Sequence, residues 1–216
     1  MHVLSINVGY PELLKSGKSS QPTGIIKRPV RGEMSVTKDG LPGDAICNQK
    51  YHGGPDQAVY VYGQPDYDWW EASLGRKLEP GIFGENLTIT DLESASLHLG
   101  DRFMIGDAVL EVTSPRVPCA TLAGRMEDSG FVKKFRAAER PGVYCRVITK
   151  GVIRTGDQVD YQPFAGDRVS IIEVYRDAFR PRTDTQRIRR QLAAPIAIRM
   201  RVAMEAQLAK KKSEAQ

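Results

Sequence analysis

A cysteine in a proline-rich segment is the residue of this chain best placed to do chemistry. Cys119 ends the run SPRVPC at 114–119, which directly follows the alternating apolar stretch 108–113. Pro118 fixes its own backbone angle, and each proline pushes the residue before it toward an extended conformation. The spacing therefore predicts a thiol on a stiff, non-helical segment where a strand leaves its sheet. A thiol held in this way suits a metal ligand or a nucleophile.

A second segment, at 50–60, is suited to holding an anion. It contains Lys50, His52 and the adjacent glycines Gly53 and Gly54, and such glycines let backbone amides approach a bound anion closely. The loop fits a phosphate or a pterin, but it lacks the phosphate-loop pattern of nucleoside triphosphate hydrolases. On spacing alone, a hydrogen bond to its own turn explains His52 as well as ligand contact does.

Two strand-like segments add polar candidates. Asn86 follows a glycine-flanked turn that begins at Gly81, and its amide can hydrogen-bond a ring edge, although asparagine is also common in turns. Arg146 alternates with apolar neighbours, so it faces away from Val147. If that face is the interior of the fold, the guanidinium requires an anionic partner.

The elements that must position these residues are mainly β. Short β-rich runs separated by Gly, Pro and Asp predict strands, and many short strands close best into a barrel, which removes exposed edges. Two helices are predicted within this region, at 65–74 and 129–138. The predicted strands lie at 3–8, 24–30, 44–48, 58–62, 86–90, 101–105, 108–113, 143–149 and 158–162.

The composition changes after Pro163, where the chain becomes rich in Arg, Ala, Gln and Leu. We predict helices at 169–179, 184–193 and 195–212, with Thr183 or Asp184 as a cap of the second and Pro195 in the first turn of the third. The chain is thus expected to consist of a β-barrel domain at 1–163 and a three-helix appendix at 164–216.

Composition limits the class of protein. The chain has 216 residues, 41% of them hydrophobic, and a formal net charge of +5, which favours a globular protein with an anionic ligand and does not by itself imply nucleic acid. The arginines of the tail are expected to form a solvated or interdomain surface, so nucleic-acid binding is disfavoured. No signal peptide and no membrane span are predicted. The odd cysteine count, without a CxxC pair, favours the cytoplasm, and Cys47 and Cys145 are expected to be buried.

Together these segments resemble the MOSC domain, which is related to the C-terminal domain of molybdenum cofactor sulfurase. The resemblance extends over about 24–161 and is carried by the His-Gly-Gly loop, the FGENLT run at 83–88, the SPRVPC run and residues 142–146. With the helical tail, it is closest to the YiiM-like subfamily. It implies a MOSC-type β-barrel that binds molybdenum cofactor, with Cys119 as the metal ligand.

The resemblance also implies an activity and roles for the candidates. Members of the subfamily reduce N-hydroxylated compounds such as 6-N-hydroxylaminopurine and thereby detoxify them. Carried over by motif position, Lys50, Arg116 and Arg146 contact the phosphate or the pterin, and His52 donates a proton or contacts the cofactor. Arg116 has an alternative role, since it can instead lower the pKa of the Cys119 thiol. The pocket is shaped by Gly53, Gly54, Asn86 and Thr88.

Partners and an alternative function follow from what the chain lacks. It has no flavin or nicotinamide fingerprint, so a reductase would need a separate electron-donor redox protein; homo-oligomerisation stays open. The alternative is a carrier of cofactor or sulfur that holds a persulfide on Cys119. In the sulfurase proper, this domain is joined to a pyridoxal-phosphate desulfurase, and 216 residues cannot accommodate that second domain.

Overall fold

The computed structural model describes residues 1–16, 19–49, 52–180 and 184–214, which form a mixed α/β protein. The α-helices are α1 (Gln64–Leu74), α2 (Ala120–Arg125), α3 (Phe131–Ala138), α4 (Ile171–Asp177), α5 (Thr185–Ala193) and α6 (Ile198–Glu214). The strands are β1 (Val3–Gly9), β2 (Glu12–Ser16), β3 (Ser19–Thr23), β4 (Lys27–Pro29), β5 (Glu33–Val36), β6 (Val59–Gly63), β7 (Leu87–Ile89), β8 (Arg102–Ile105), β9 (Ala108–Pro115), β10 (Val143–Thr149), β11 (Gly151–Arg154) and β12 (Val159–Gln162). Short 3₁₀ turns occupy Pro55–Gln57 and Ser94–Ser96.

The expectation of a mainly β closed barrel is corrected by the sheet. Eight strands form one sheet in the order β12-β8-β9-β10-β6-β7-β1-β4, in which only β6 and β7 are parallel. The sheet curls back on itself, because a bridge between His2 and Gln158 brings the start of β1 to β12. No continuous ladder joins these two strands in the described residues, because β1 and β12 meet only at this bridge and the hydrogen bonds beside it.

Most predicted elements within the sheet are confirmed, with one wrong strand. Residues 44–48 form no strand, because the Asp44 side chain instead accepts the backbone N–H of Gly9 at 2.9 Å and ties the segment across the end of β1. The hairpin β2–β3 and the pair β5–β11 are not predicted from the sequence, because their polar residues hide the strand alternation. Helix α2 is not predicted either, because it is too short to show helical periodicity.

Two hydrophobic clusters support the sheet. The larger fills the inside of the curled sheet and continues into the C-terminal helices through residues such as Val174, Ile188 and Met204. The smaller is aromatic and packs Tyr62, Trp70 and Phe83 against helices α1 and α3. This aromatic cluster matters for function, because Cys119 and Tyr144 pack against its edge.

The three helices of the tail are confirmed, and Asp184 caps α5 by accepting the backbone N–H groups of Gln186 and Arg187. Helix α6 begins at Ile198, not at Pro195, because the carbonyls of Pro195 and Ile196 are taken up by Arg146. The tail shares the larger core with the sheet, so the boundary at residue 163 stays a prediction. Among the helices described, none has the length and apolar character needed to cross a membrane.

Candidate functional site

The candidate site is a cavity of about 350 Å³ beside the aromatic cluster. Hairpin β2–β3, the coil at 44–48, the turn at 52–58 and the start of α2 form its walls. These segments are far apart in sequence, and the curled sheet brings them together. The cavity is lined by Cys119, His52, Gly53, Asn86 and Arg116 from the predicted set.

Cys119 is displayed as predicted, at the point where the chain leaves β9. Its backbone is extended, at φ −131° and ψ 169°, and it is the N-cap of α2, so helix follows directly after the stiff segment. Burial raises the pKa of its thiol, but a hydrogen bond from His52 and the charge of Arg116 outweigh burial and lower the pKa to about 6. The thiolate is therefore the main form at neutral pH, as a metal ligand or a nucleophile requires.

Arg116 is the fixed positive charge of the cavity wall. Only 4% of the residue is exposed, and its guanidinium lies 5.1 Å from the centre of the Tyr60 ring. One terminal nitrogen donates to the carbonyl of Phe83, which holds the side chain against the aromatic cluster. The Nε–H group is buried and has no partner among the residues that the structure describes. A buried donor without a partner is costly, so this group is suited to a ligand acceptor.

A second cation of the cavity was missed by the sequence analysis. Lys27 on β4 is 7% exposed and forms an ion pair with Asp44, which also accepts a hydrogen bond from Asn86 Nδ2 at 2.9 Å. Burial lowers the pKa of Lys27, and Asp44 opposes that effect. The available signal was a lysine placed directly after the apolar pair at 25–26 in a predicted strand.

The shape of the cavity wall favours glycine at both Gly53 and Gly84. Gly53 has a φ of +77°, and a Cβ there would lie 2.9 Å from Cδ1 of Ile46. Gly84 has a φ of +78°, and a Cβ there would lie 2.8 Å from Cγ1 of Ile25. Asn86 connects this region to the sheet, since its Oδ1 accepts the backbone N–H of Tyr60 at 3.0 Å.

Three predicted residues do not reach the cavity. Thr88 is buried in β7 and donates to Glu85 Oε1 at 2.9 Å, and Gly54 is exposed before the 3₁₀ turn. Arg146 points toward the tail, where its guanidinium is 2.9 Å from Asp56 Oδ1. Arg146 does not lie on the core face of β10, and its anionic partner belongs to the protein. Lys50 lies outside the described residues.

The two other cysteines differ in environment. Cys145 is fully buried, as expected, and burial raises the pKa of its thiol. Cys47 is exposed and lines the cavity, so the expectation of burial is wrong. The segment at 44–48 is held at Asp44 and forms no strand, so the residues that follow, at 47–49, are exposed to solvent.

Further cavity residues were not predicted as site residues. Tyr60 and Tyr144 lie on neighbouring strands β6 and β10, which pair directly at these two residues. Gln57 comes from the 3₁₀ turn before β6. The alternating pattern around Tyr60 and Tyr144 predicted two strands. Only the pairing of β6 with β10 shows that these two side chains lie on the face that meets the cavity.

Fold and site together define a mixed α/β protein with a partly buried thiolate in a cation-lined cavity. The chain belongs to the MOSC domain family, whose model matches residues 48–160. The resemblance found in the sequence is thus confirmed.

Similar proteins agree with this assignment. The chain is 36% identical over 158 residues to the uncharacterized protein YflK of Bacillus subtilis, covering 73% of this chain and 72% of that protein. It is 32% identical to YiiM of Escherichia coli, covering 67% and 68% of the two chains. A protein of Gibberella moniliformis named "Reductase" is 31% identical over 71% of this chain, which spans 28% of that longer protein. The crystal structure of YiiM from Geobacillus stearothermophilus superposes with a TM-score of 0.77 at 26% identity and covers 96% of this chain and 98% of its own.

The cavity fits the cofactor associated with this family. Within the part of the chain that the structure describes, no three His, Cys, Asp or Glu side chains gather to hold a metal. A metal bound here through Cys119 would therefore need ligands from the cofactor itself, and the dithiolene of molybdopterin supplies such sulfur ligands. The unpaired Nε–H of Arg116 and the ammonium of Lys27 suit the phosphate of that cofactor.

Proposed function

We propose that this protein is a molybdenum-cofactor-dependent oxidoreductase that reduces N-hydroxylated compounds such as 6-N-hydroxylaminopurine. The observation that carries the proposal is a thiolate, Cys119, next to a buried cation, Arg116, whose Nε–H has no partner among the described residues, in one cavity. This is the donor set expected for a cofactor that brings its own metal ligands and a phosphate. The name of the Gibberella relative supports redox chemistry in the family.

In this proposal, each cavity residue has a role that its geometry permits. Cys119 holds the metal through its thiolate, and Arg116 is the main phosphate contact. Lys27 is a second phosphate contact, with its charge partly neutralised by Asp44. Lys27 thus has the phosphate-binding role that motif position gave to Arg146, because the guanidinium of Arg146 already binds Asp56 and a carbonyl of the tail.

The reaction needs two electrons and two protons. When bound, the cofactor supplies the electron pair that breaks the N–O bond, so that R–NH–OH and two protons give R–NH₂ and water. His52 lines the cavity and hydrogen-bonds to Cys119, so it keeps the sulfur as a thiolate and is our candidate for proton delivery. The electrons come from a separate redox protein.

A carrier function is the second candidate. The thiol pKa of about 6 and the partial exposure of Cys119 favour a nucleophilic sulfur that could hold a persulfide. A carrier would bind sulfur or cofactor without reducing a substrate.

Metal analysis and a substrate assay separate these functions. We would express the protein in cells with intact cofactor biosynthesis, measure molybdenum by mass spectrometry, and assay reduction of 6-N-hydroxylaminopurine with a reduced viologen dye. We expect stoichiometric molybdenum and turnover in the wild type and loss of both in Cys119→Ala. Cys47→Ala is the matched control, because it removes another thiol of the same cavity and should keep both. Wild-type protein without molybdenum would contradict the reductase, and metal without turnover would favour the carrier.

A further inference from the structure

The 3₁₀ turn at Pro55–Gln57 is held rigidly at one wall of the cavity. Its middle residue, Asp56, is fixed from three sides. Arg146 lies 2.9 Å from one carboxylate oxygen, Ile198 N–H donates to the other at 2.5 Å, and Thr113 Oγ1 donates to the Asp56 carbonyl at 2.5 Å. The next residue, Gln57, donates its backbone N–H to Gly54 at 2.9 Å. The turn therefore presents the Gln57 side chain from a fixed backbone.

The side chain of Gln57 ends in an acceptor that no residue described by the structure satisfies. Its Oε1 atom is buried and has no hydrogen-bond partner among those residues, and Gln57 lines the cavity. Arg116, in the wall of the same cavity, has a buried Nε–H donor that likewise lacks a partner in the described part of the chain. Leaving a buried polar group unpaired costs about 1–3 kcal/mol, so native structures rarely keep one without a reason.

The two unpaired groups would bind different parts of a ligand. The Nε–H of Arg116 needs an acceptor oxygen, which the phosphate proposed above provides. Gln57 Oε1 needs an N–H donor, which a phosphate, a thiolate and a metal do not provide. An uncharged acceptor in a partly apolar cavity is typical of sites that recognise ring nitrogens and amino groups.

We propose that Gln57 accepts a hydrogen bond from an N–H group of a nitrogen heterocycle bound in the cavity. This inference shares with the proposed function the assumption that the cavity is the ligand site, but it requires neither molybdenum nor reduction. The heterocycle has two sources with the same chemistry, the pterin of the cofactor and an aminopurine substrate. Gln57 is a binding residue in either case.

Calorimetric titration of the cofactor-free protein tests the assignment with two probes, free pterin (2-amino-4-oxopteridine) and 6-N-hydroxylaminopurine. Gln57→Leu removes the acceptor, whereas Gln57→Glu keeps an acceptor oxygen and loses the amide donors. Gln21→Leu is the matched control, because Gln21 lines the same cavity but is exposed to solvent. Thermal unfolding of each variant is measured in parallel.

We expect Gln57→Leu to weaken binding of at least one probe about tenfold, which corresponds to about 1.4 kcal/mol. Gln57→Glu and Gln21→Leu should bind that probe within about threefold of the wild type. The probe that responds identifies the source of the heterocycle. The unfolding temperature of ligand-free Gln57→Leu should not fall, because the substitution removes an unpaired buried acceptor.

Three outcomes would overturn the assignment. They are no binding of either probe to the wild type, equal weakening in Gln57→Leu and Gln21→Leu, and a fall in unfolding temperature that accounts for the weaker binding. Absence of molybdenum from protein purified with its cofactor supply would count against the proposed reductase, but it would not alter the titrations. The two failures are therefore distinguishable.

Discussion

At the scale of single residues, the state of Cys119 depends on two neighbours that act through different physics. His52 donates a hydrogen bond to the sulfur, and Arg116 contributes a charge that burial keeps from being screened by solvent. Both favour the thiolate, whereas burial of the sulfur alone favours the thiol. Cys119 is thus mainly a thiolate at neutral pH before any ligand binds.

This balance predicts the pH dependence of thiol reactivity. Alkylation of Cys119 by iodoacetamide in the cofactor-free protein should follow a single titration with a midpoint at about pH 6. In His52→Ala the midpoint should move to higher pH, because the hydrogen bond that lowers the pKa is lost. Peptide-level mass spectrometry in a Cys47→Ser background measures the rate without the other exposed thiol of the cavity.

The same shift has a consequence for stability. A thiol with a pKa below its unfolded value of 9.0 stabilises the folded state most when the pH is above that value, and this contribution is lost as the pH falls through about 6. A Cys119→Ser variant should lack this part of the pH dependence of unfolding.

For the alkylation experiment, an unchanged midpoint in His52→Ala would contradict the role given to His52.

At the scale of elements, glycine turns decide how closely the segments around the cavity approach. Gly84 precedes β7 and lies against Ile25, and a Cβ at this position would also be 3.5 Å from Nη1 of Arg116. Gly75 ends α1 with a similar left-handed backbone, at φ +66°, but has no atom within 4 Å of a Cβ. Alanine at Gly75 would therefore add backbone strain alone, whereas alanine at Gly84 would add both backbone strain and steric overlap.

We expect Gly75→Ala to lower the free energy of unfolding by about 1 kcal/mol, the cost of a left-handed alanine. Gly84→Ala should cost about 2 kcal/mol more, because the new methyl group overpacks against Ile25. It should also weaken cofactor retention by shifting the adjacent Phe83, whose carbonyl holds Arg116, whereas Gly75→Ala should not. Urea unfolding and molybdenum content of the two variants measure these effects, and equal losses of stability would contradict the packing argument.

At the scale of the whole molecule, Arg146 connects the sheet to the tail. Its side chain projects from β10 on the face opposite the core residues Cys145 and Val147, contacts Asp56 and donates to the carbonyls of Pro195 and Ile196 at 3.1 and 3.3 Å. It therefore joins the site, the sheet and the start of α6. Other arginines of the tail, such as Arg190, pair with acidic side chains at the surface.

Arg146→Met should therefore act on the tail and on the 3₁₀ turn together. We expect a loss of about 2 kcal/mol in the free energy of unfolding, since hydrogen bonds from a charged group are broken and Asp56 loses its partner. Hydrogen exchange should accelerate in α6 and at residues 55–57. Arg190→Met is the control and should change stability by less than about 1 kcal/mol, because its ion pair is exposed. Exchange that is unchanged in α6 would show that Arg146 does not hold the tail.

The sequence determined the parts of the site that local rules encode. The Pro-rich exit to Cys119, Gly53 in the cavity loop, the positions of most strands and the cap of α5 each depend on a few neighbouring residues, so turn chemistry and periodicity were sufficient to predict them. The family resemblance also rested on such short motifs.

The tertiary structure decided which side chains meet at the cavity. Lys27, Gln57, Tyr60 and Tyr144 reach it, and Thr88 and Arg146 do not, because strand pairing and the curl of the sheet set the face that each residue presents. Those pairings join residues far apart in sequence, such as Tyr60 and Tyr144, and no spacing within a single segment records them. For the same reason, the sequence predicted a closed barrel, whereas within the described part of the chain β1 and β12 are joined at one end only.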